Sequence, residues 1–536
     1  MKKLIALMIA LAMVLACVSA LAEREDVGVK PAIVEVEGGK IMGFTMGDVT
    51  IFKGIPYAEA ERFEMPRPTK WNDIRACLNF SEVCPQGQYS NNANDFASVS
   101  NYFVEDREEN TFLTVNVWTK NLNPDKPKPV LFWIHGGGYS SGSSCELELY
   151  DGYNLTEFGD IVFVSVNHRL NYLGYLDLSA YGEDYKYTAN LGHADLIAAL
   201  EWVQRNIAIF GGDPNNVTIE GQSGGGTKVT QLMGMPAAQG LFHKAVCQSG
   251  GSVKVTRTTE QAQAQTAVLV ENLGLAGKSN EEIIAFLKAM PYDDLAAACR
   301  EAKVGAGATV DGDYYPTGTY ELSADKPVIF STVLGEMSTQ AGQLTGKVYP
   351  KYLTEEHIAT HYSAGITDEA AMARITELYG DRAEEVAAAY QAAYPGHPIS
   401  DLLYTTGRNN DKAVAMAGLG NPHVYQCVQA YDPPYFGWTT AQHTAGDIPY
   451  WFRTVINTDA RFMIFGDEEC GRKVMDEMSQ ALVNFCYTGD PSTEALPWAP
   501  FTVENGETMI FDRVSEVRNY HDKAYFELIN EINAAK

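Results

Sequence analysis

Residues 217–233 read VTIEGQSGGGTKVTQLM, and this stretch decides the fold. Its first three residues are typical of a buried strand, and residues 224–233 can form a helix. Between the two, Gly221, Ser223 and Gly225 fit the pattern G-x-S-x-G. A serine at so tight a strand-to-helix turn needs glycine two residues away on either side, because a side chain there would collide with the neighbouring backbone. The helix that follows points its first N–H groups at any negative charge developing beside the serine.

The sequence around this stretch alternates between strand-like and helix-like segments. Leu196, Leu200, Val203 and Ile207 recur at helical spacing, and glycines and a proline end that helix at 211–214. Short apolar runs suit strands that are buried on both faces of a parallel sheet, and they occur at 130–134, 161–166, 245–247, 328–330 and 424–428. The order strand, helix, strand predicts an α/β fold with a large, mostly parallel central sheet flanked by helices.

Two Ala-rich and charge-rich regions, at about 258–300 and 365–392, carry a helical pattern without strands. We expect them to be helical excursions from the sheet that form the walls of a substrate gorge. The C-terminal part predicts a helix over about 472–486 and a strand around 508–511.

A second glycine motif lies upstream of the serine. The strand at 130–134 ends in His135-Gly136-Gly137-Gly138, which is the HGGG pattern of an oxyanion loop. Glycines let backbone N–H groups approach a substrate oxygen without a Cβ in the way, so Gly137, Gly138 and Gly224 are the predicted donors. Together the two motifs predict an α/β-hydrolase in which Ser223 is the nucleophile of an acyl-transfer reaction. Tyr139 comes next and is a candidate pocket residue, with a core aromatic as the alternative.

A serine hydroxyl needs a base that is held by an acid. In this fold the order along the chain is Ser, then Asp or Glu, then His. Glu336 follows the apolar strand 328–333, and His443 lies in a loop after the strand 424–428, so these two residues are the predicted acid and base. His423 and His521 are the competing bases, although the first adjoins a strand and the second is near the chain end.

Several further segments resemble the type-B carboxylesterase family, which includes the cholinesterases. GIPYA at 54–58, NVW at 116–118 and FGGDPNNVT at 210–218 are similar to family motifs, as are QSG at 248–250, DG at 311–312, NF at 484–485 and GDP at 489–491. The resemblance covers most of the chain and implies a serine carboxylesterase with a Ser-Glu-His triad. It places Glu336 at the acid and His443, before Asp447-Ile448-Pro449, at the base. It also implies that Ser249 hydrogen-bonds the acid.

The sequence departs from the family pattern in places. One residue is inserted between His443 and the acidic position that follows it, which alters the loop path. Cys84 matches one half of the family's first disulfide, but Phe112 occupies the partner position, so we expect that bridge to be absent. Gln222 and Gly224 replace the usual Glu and Ala on either side of Ser223, and Gly224 still supplies an N–H group.

Composition and termini limit the partners and the location. The 536 residues carry a formal net charge of −28, which disfavours nucleic acid as a partner. Lys2, Lys3, an apolar run and Ala20-Leu21-Ala22 predict a signal peptide over 1–22, followed by a secreted α/β-hydrolase domain over 23–536. Lipidation at Cys17 and an uncleaved anchor are the alternatives. No later apolar run is long enough to span a membrane. The other eight cysteines are dispersed, so no disulfide framework is expected, although Cys77 and Cys84 could pair.

We expect a small-molecule ester as substrate, no cofactor and no metal, and a monomer, with oligomers left open. Two other classes of function were weighed. A cholinesterase-like domain that only binds partner proteins typically lacks triad residues, which are present here. His357 and His361 are four residues apart, as in a zinc-binding helix, but no Glu follows the first of them, so the HExxH pattern fails. Tyr314 and Tyr315 could line the gorge or pack in the core.

Overall fold

The structure is a computed structural model, and it describes residues 28–86, 109, 111–336, 367–405, 411–435, 438–439, 444–457, 461–464 and 466–536. The predicted signal peptide at 1–22, with Cys17, lies outside these residues, and so do His357 and His361. Cleavage, export and the domain limits therefore stay predictions. No helix within the described ranges combines the length and the apolar character needed to cross a bilayer.

A single large sheet organises the described part of the chain. Its strands are β1 (Val29–Val36), β2 (Gly39–Met46), β3 (Val49–Pro56), β4 (Arg75–Ala76), β5 (Thr114–Thr119), β6 (Lys128–Ile134), β7 (Val162–Val166), β8 (Gly212–Gln222), β9 (Lys244–Gln248), β10 (Val328–Val333), β11 (Val424–Gln429), β14 (Glu507–Phe511) and β15 (Glu516–Asn519). Two short strands, β12 (Pro434–Tyr435) and β13 (Trp438–Thr439), form a separate hairpin. All the strand segments that the sequence predicted belong to this sheet.

The strand order is β1-β2-β3-β5-β7-β6-β8-β9-β10-β11-β14-β15, with β4 beside β2. The pairs from β7 through β14 are parallel, whereas the pairs at the two ends are antiparallel. Because parallel strands end at the same edge, the loops that follow β6, β8, β10, β11 and β14 leave the sheet on one side. This confirms the predicted α/β-hydrolase architecture with its mostly parallel centre.

Helices cover both faces of the sheet and extend beyond its edge. They are α1 (Tyr153–Gly159), α2 (Asn171–Tyr175), α3 (Leu191–Asn206), α4 (Gly224–Leu232), α5 (Thr259–Asn272), α6 (Asn280–Ala289), α7 (Tyr292–Glu301), α8 (Asp368–Tyr379), α9 (Ala383–Ala393), α10 (Asp411–Gly418), α11 (Ile448–Trp451), α12 (Glu468–Thr488) and α13 (Lys523–Ala534). The predicted helical regions hold α5 to α7 and α8 to α9.

The central strands are apolar throughout because each face of the sheet packs against its own core. In β6, Phe132 and Ile134 point into a core shared with α3 and α4. Leu131 and Trp133 point into the opposite core, which is shared with α11 and α12. Helices α5 to α7 enclose a third cluster, and α8, α9 and α13 enclose a fourth. The helical excursions therefore have small cores of their own at the edge of the main fold.

The cysteines form no bridge in the described part of the chain. Cys77, Cys84 and the six other cysteines after the predicted signal peptide are free thiols, and all but Cys470 are buried. The local pairing of Cys77 with Cys84 that the sequence allowed is therefore absent. Phe112 is buried in the same core cluster as Cys84. The expected loss of the family's first disulfide is thus seen in the structure.

Truncation of a core residue should reveal how much the α12 face contributes to stability. Leu482 is completely buried against the sheet. We expect Leu482→Ala to lower the free energy of unfolding by about 2–5 kcal/mol, because the cavity adds to the lost burial. Urea denaturation measures this difference. Arg472→Ala, an exposed position on the same helix, should change stability by less than about 0.5 kcal/mol, and equal losses in the two variants would contradict the assignment of this face.

Candidate active site

Ser223 occupies the turn between β8 and α4. Its backbone has φ 54° and ψ −119°, a conformation that a residue with a side chain rarely adopts. A Cβ on Gly221 would lie 2.5 Å from the Gly225 carbonyl carbon, and one on Gly225 would lie 2.0 Å from the Ile134 oxygen. Both glycines of the motif are therefore required by close backbone contacts. The Ser223 N–H donates to the Gln248 oxygen on β9 at 2.8 Å, which fixes the turn to the neighbouring strand.

The glycine loop after β6 lies directly against this turn. A Cβ on Gly224 would come within 2.4 Å of the nitrogen, Cα and oxygen of Gly138, so the two backbones are in contact. Gly137 and Gly138 have φ values of +86° and +64°, which favour glycine. Both are exposed, and Ser223 is half-buried. Gly224 is the first residue of its helix, so its N–H has no acceptor within that helix. The arrangement can present main-chain donors to an oxygen atom beside Ser223.

Glu336 lies three residues beyond β10, at the same edge of the sheet. The Val333 N–H donates to its Oε1 at 3.1 Å. Burial raises the pKa of the Glu336 carboxyl, while the Val333 N–H, the hydroxyls of Ser249 and Thr444 and the charge of Lys412 act in the opposite direction. Ser249 reaches this position because it follows β9 and donates its N–H to Ser331 on β10 at 2.8 Å. The structure thus brings Ser249 beside Glu336.

His443 lies outside the described residues. Thr444, which follows it in the sequence, is described, and its hydroxyl accepts a hydrogen bond from Gln222 Nε2 at 2.8 Å. The same hydroxyl also forms a hydrogen bond with the Glu336 carboxyl and lowers the pKa of that group. The loop that carries the predicted base is therefore connected, one residue later, both to the residue before Ser223 and to the predicted acid.

The two competing histidines lie elsewhere. His423 is exposed and directly precedes β11. Ser223 follows β8, and the strands from β8 to β11 are parallel, so His423 lies at the opposite edge of the sheet. His521 is beyond β15, where its Nε2 is 3.1 Å from the Tyr394 hydroxyl. Neither histidine is brought to Ser223.

Two further buried carboxyl groups interact in series with Glu336: Asp447 with Glu336, and Glu220 with Asp447. The sequence analysis did not identify these interactions. Asp447 is fully buried, and burial together with the neighbouring Glu336 charge raises its pKa to about 7. Glu220 on β8 is also buried and accepts a hydrogen bond from Gln248 Nε2 at 2.7 Å. Burial and Asp447 raise the pKa of Glu220 well above its usual range. The available signal was a glutamate directly after the strand segment 217–219, where its side chain is fully buried.

The aromatic candidates divide between pocket and core. Tyr139 is half-buried directly after the glycine loop. Its hydroxyl accepts a hydrogen bond from Gln231 Nε2 at 2.5 Å, and its ring packs edge-on against Tyr175 at 5.0 Å. Tyr315 is buried in the main core, and Tyr314 is half-buried against Tyr187. Tyr139 is therefore the aromatic residue of this set that adjoins the loop.

Comparison with known proteins identifies the family of this chain. The model of the carboxylesterase family matches residues 30–528. The para-nitrobenzyl esterase of Bacillus subtilis is 31% identical over 91% of this chain and 96% of its own length, and human cocaine esterase is 28% identical over 85% and 82%. A solved esterase of the anaerobe Clostridium hathewayi, reported to hydrolyse aliphatic aromatic polyesters, aligns with a TM-score of 0.80 at 34% identity and covers 94% of this chain and 98% of its own. The chain belongs to the carboxylesterase family and is an α/β-hydrolase that hydrolyses carboxylic esters.

Proposed function

We propose that the enzyme cleaves small-molecule esters, aryl esters among them, through an acyl-enzyme on Ser223. One observation carries the proposal: the Gly138 and Gly224 backbones touch beside a strained serine turn. Such strain costs on the order of 1–3 kcal/mol and is typical of functional sites. The contact supports a role for the N–H groups of Gly137, Gly138 and Gly224 as an oxyanion hole, in which each donor contributes about 3 kcal/mol to transition-state stabilisation.

The proposed reaction has two acyl-transfer steps. His443 accepts the Ser223 proton while the hydroxyl oxygen attacks the ester carbonyl carbon. The carbonyl oxygen becomes an oxyanion and accepts hydrogen bonds from the three glycine N–H groups. The intermediate collapses as the alcohol leaves with the proton from His443. Water then attacks the acyl-enzyme by the same route, which releases the acid and restores the serine.

Glu336 is proposed to orient His443 and to stabilise its imidazolium form. The half-buried position of this carboxyl beside Ser249 and Thr444 supports the role, as does the link from Thr444 to Gln222. Although burial raises the pKa of Glu336, an adjacent imidazolium would favour the ionised carboxylate. The acid is therefore expected to be charged whenever the base carries a proton.

Ser223→Ala should abolish the burst of p-nitrophenol from p-nitrophenyl acetate, because no acyl-enzyme can form. It should also abolish labelling by a fluorophosphonate. Stopped-flow absorbance and intact-protein mass spectrometry measure the two effects. Ser140→Ala, which removes another exposed hydroxyl close by, should keep both. Labelling that persists in Ser223→Ala would assign the nucleophile elsewhere, and a wild-type chain without label or burst would favour a non-catalytic binding domain.

Asp447→Asn should shift the pH dependence of kcat/KM. The rise in activity is expected near pH 6–7, about the ordinary pKa of an imidazole, as His443 loses its proton. The pKa of Asp447 is about 7, so an appreciable fraction is anionic in this range. An anion near the Glu336–His443 pair favours the imidazolium and raises its pKa. Removal of that charge should therefore move the rising limb to lower pH, whereas Asp476→Asn, on the exposed side of α12, should leave it in place. A shift to higher pH would contradict this coupling.

A further inference from the structure

A cluster of ionisable side chains lies at the carboxyl edge of the sheet, three strands from the serine turn. Asp432 follows β11 and Asp512 follows β14. These two strands pair in parallel, with Gln429 opposite Phe511, so both aspartates leave the sheet at the same edge. His397 and Asp401 come from a separate segment that follows α9 and contains the short 3-10 helix Ile399–Tyr404. The cluster therefore joins a helical excursion to two strands of the main sheet.

The side chains converge around one imidazole. His397 Nδ1 is 3.0 Å from Asp432 Oδ2 and 3.8 Å from Asp401 Oδ2. One ligand-type atom from each of these residues lies within 4.8 Å of the other two. His397, Asp401 and Asp432 are only 8%, 1% and 9% exposed. The second ring nitrogen, Nε2, is 2.9 Å from Asp512 Oδ2.

This arrangement has the two layers of a metal site. A histidine that binds a metal through one ring nitrogen usually donates the N–H of the other to a carboxylate. Asp512 occupies that second position, while Nδ1 faces the oxygens of Asp401 and Asp432. His397 Nδ1 pairs with Asp432 Oδ2, and the other oxygen of this buried carboxyl, Oδ1, has no hydrogen-bond partner within the described part of the chain.

The charges in the cluster also favour a cation. Among these four side chains, three carboxylates face one imidazole, so even an imidazolium leaves more negative than positive charge within the set. Arg513 and Arg518 line the adjacent cavity of about 240 Å³. The Arg513 guanidinium pairs with Asp467 at 2.7 Å, and Arg518 donates to the Ala393 oxygen at 2.8 Å.

We propose that His397, Asp401 and Asp432 bind one divalent metal ion, with Asp512 holding the far side of the imidazole. The donor set combines one imidazole nitrogen with carboxylate oxygens, which suits Zn²⁺ or Mn²⁺ better than Mg²⁺. The ion would connect the segment after α9 to β11 and β14. It lies outside the serine site, so its role is to stabilise the packing of this segment against the sheet, a role that the sequence did not predict.

The test uses the full chain after chelation and dialysis. Addition of ZnCl₂ or MnCl₂ should raise the melting temperature saturably by about 2–5 °C, because the ion binds the folded state only. Elemental analysis after gel filtration should find one ion per chain. Asp432→Asn should abolish both effects. Asp467→Asn, which removes a half-buried carboxylate that pairs with Arg513 near the same cavity, should keep them. Esterase activity confirms that each variant is folded.

Two results would overturn the proposal. A wild-type chain that neither retains an ion nor gains melting temperature with either metal would leave His397 as an imidazolium among carboxylates and no metal site. Equal responses of wild type and Asp432→Asn would place any bound ion elsewhere. If Asp432→Asn does not fold, the stoichiometry and melting curves of the wild-type chain still decide the question.

A different observation concerns a buried lysine beneath the glycine loop. Lys228 on α4 is completely buried, and its ammonium donates to the Gly138 oxygen at 2.6 Å. It lies 5.5 Å from the centre of the Tyr139 ring. Lys228 has no ion-pair partner within the described ranges, and the nearest acid that acts on it is Glu146. A buried cation without a direct counterion is costly, so the fold retains it at the expense of stability.

The groups that interact with this ammonium include one carboxyl, which does not form a direct ion pair with it within the described ranges. They are the phenol of Tyr139, the carboxyl of Glu146 and the buried imidazoles of His135, His168 and His193. Burial and the Lys228 charge lower the pKa of all three imidazoles far below neutrality, so the imidazoles are uncharged at pH 7. Burial lowers the pKa of Lys228 itself to about 7. The protonated fraction of Lys228, which is appreciable near pH 7 and grows at lower pH, therefore places a positive charge behind the glycine loop.

We infer that Lys228 is a positioning residue that fixes the glycine loop through the Gly138 carbonyl and adds a positive charge behind the proposed oxyanion hole. The inference rests on the proposed function. Both effects act where negative charge develops during attack, so they stabilise the transition state more than the bound ester.

Lys228→Met keeps the length of the side chain and removes its charge and hydrogen bond. We expect kcat for p-nitrophenyl acetate to fall about 10- to 100-fold while KM changes less than about threefold. In the wild type the ammonium loses its proton as pH rises through its pKa, so activity should decline on the alkaline side, and Lys228→Met should lack this decline. Lys244→Met, which removes a buried lysine on β9 that contacts Asn216, should keep the wild-type profile.

An unchanged kcat in a folded Lys228→Met chain, or a rise in KM alone, would overturn the positioning role. Failure of the proposed function gives a different result, because Ser223→Ala would then keep its burst. If Lys228→Met melts at a much lower temperature, the alkaline limb of wild-type activity still decides, and a flat profile above pH 7 would count against the inference.

Discussion

The contact between the backbones of Gly138 and Gly224 is the constraint on which the rest of the site depends. It forms where two parallel strands end side by side and each continues into a turn that has glycine at the point of contact. A side chain at Gly224 would lie 2.4 Å from Gly138, and one at Gly225 would lie 2.0 Å from the Ile134 oxygen. The pairing of β6 with β8 supplies the alignment, and the two cores on either face of the sheet hold it. The strain at Ser223 persists because this packing leaves the turn no other path.

Burial of ionisable groups is the second feature of the carboxyl edge. Glu220, Asp447 and Glu336 form a series of interacting acids, and burial raises the pKa of each. Lys228 and its neutral histidines lie on the glycine-loop side of the same turn. Burial of these groups lowers stability, and it also excludes water, which strengthens each remaining electrostatic interaction. A hydrolase that must stabilise an oxyanion and an imidazolium gains from such an environment.

The helical excursions are separate units placed on this edge. Helices α5 to α7 pack around their own apolar cluster, and α8 and α9 pack with α13 around another. Both clusters are smaller than the two cores that flank the sheet. The His397 cluster lies where the second unit meets β11 and β14, so polar contacts join this unit to the sheet beside the apolar contacts of Val428 and Ile510.

The local sequence was enough to predict the fold class correctly and to single out Ser223 as the proposed nucleophile. Continuous apolar runs predicted strands buried on both faces, and glycines at fixed distances from Ser223 predicted the turn, because those backbone contacts are local and leave no alternative residue. It also supplied Glu336 as the acid and His443 as the base, and both of these roles stay predictions. Strand order excluded His423 as the catalytic base. This residue precedes its strand, so parallel pairing places it at the edge of the sheet opposite Ser223.

Only the tertiary structure decided what surrounds these residues. The partners of Glu220, Lys228 and His397 are separated from them by tens to hundreds of positions along the chain. No local pattern can show that a lysine on α4 donates to the carbonyl of Gly138, or that aspartates after two strands meet a histidine from a helical excursion. Periodicity and motifs report local backbone geometry, whereas the charges, pKa values and ligand sets of a site depend on which distant segments the sheet brings together.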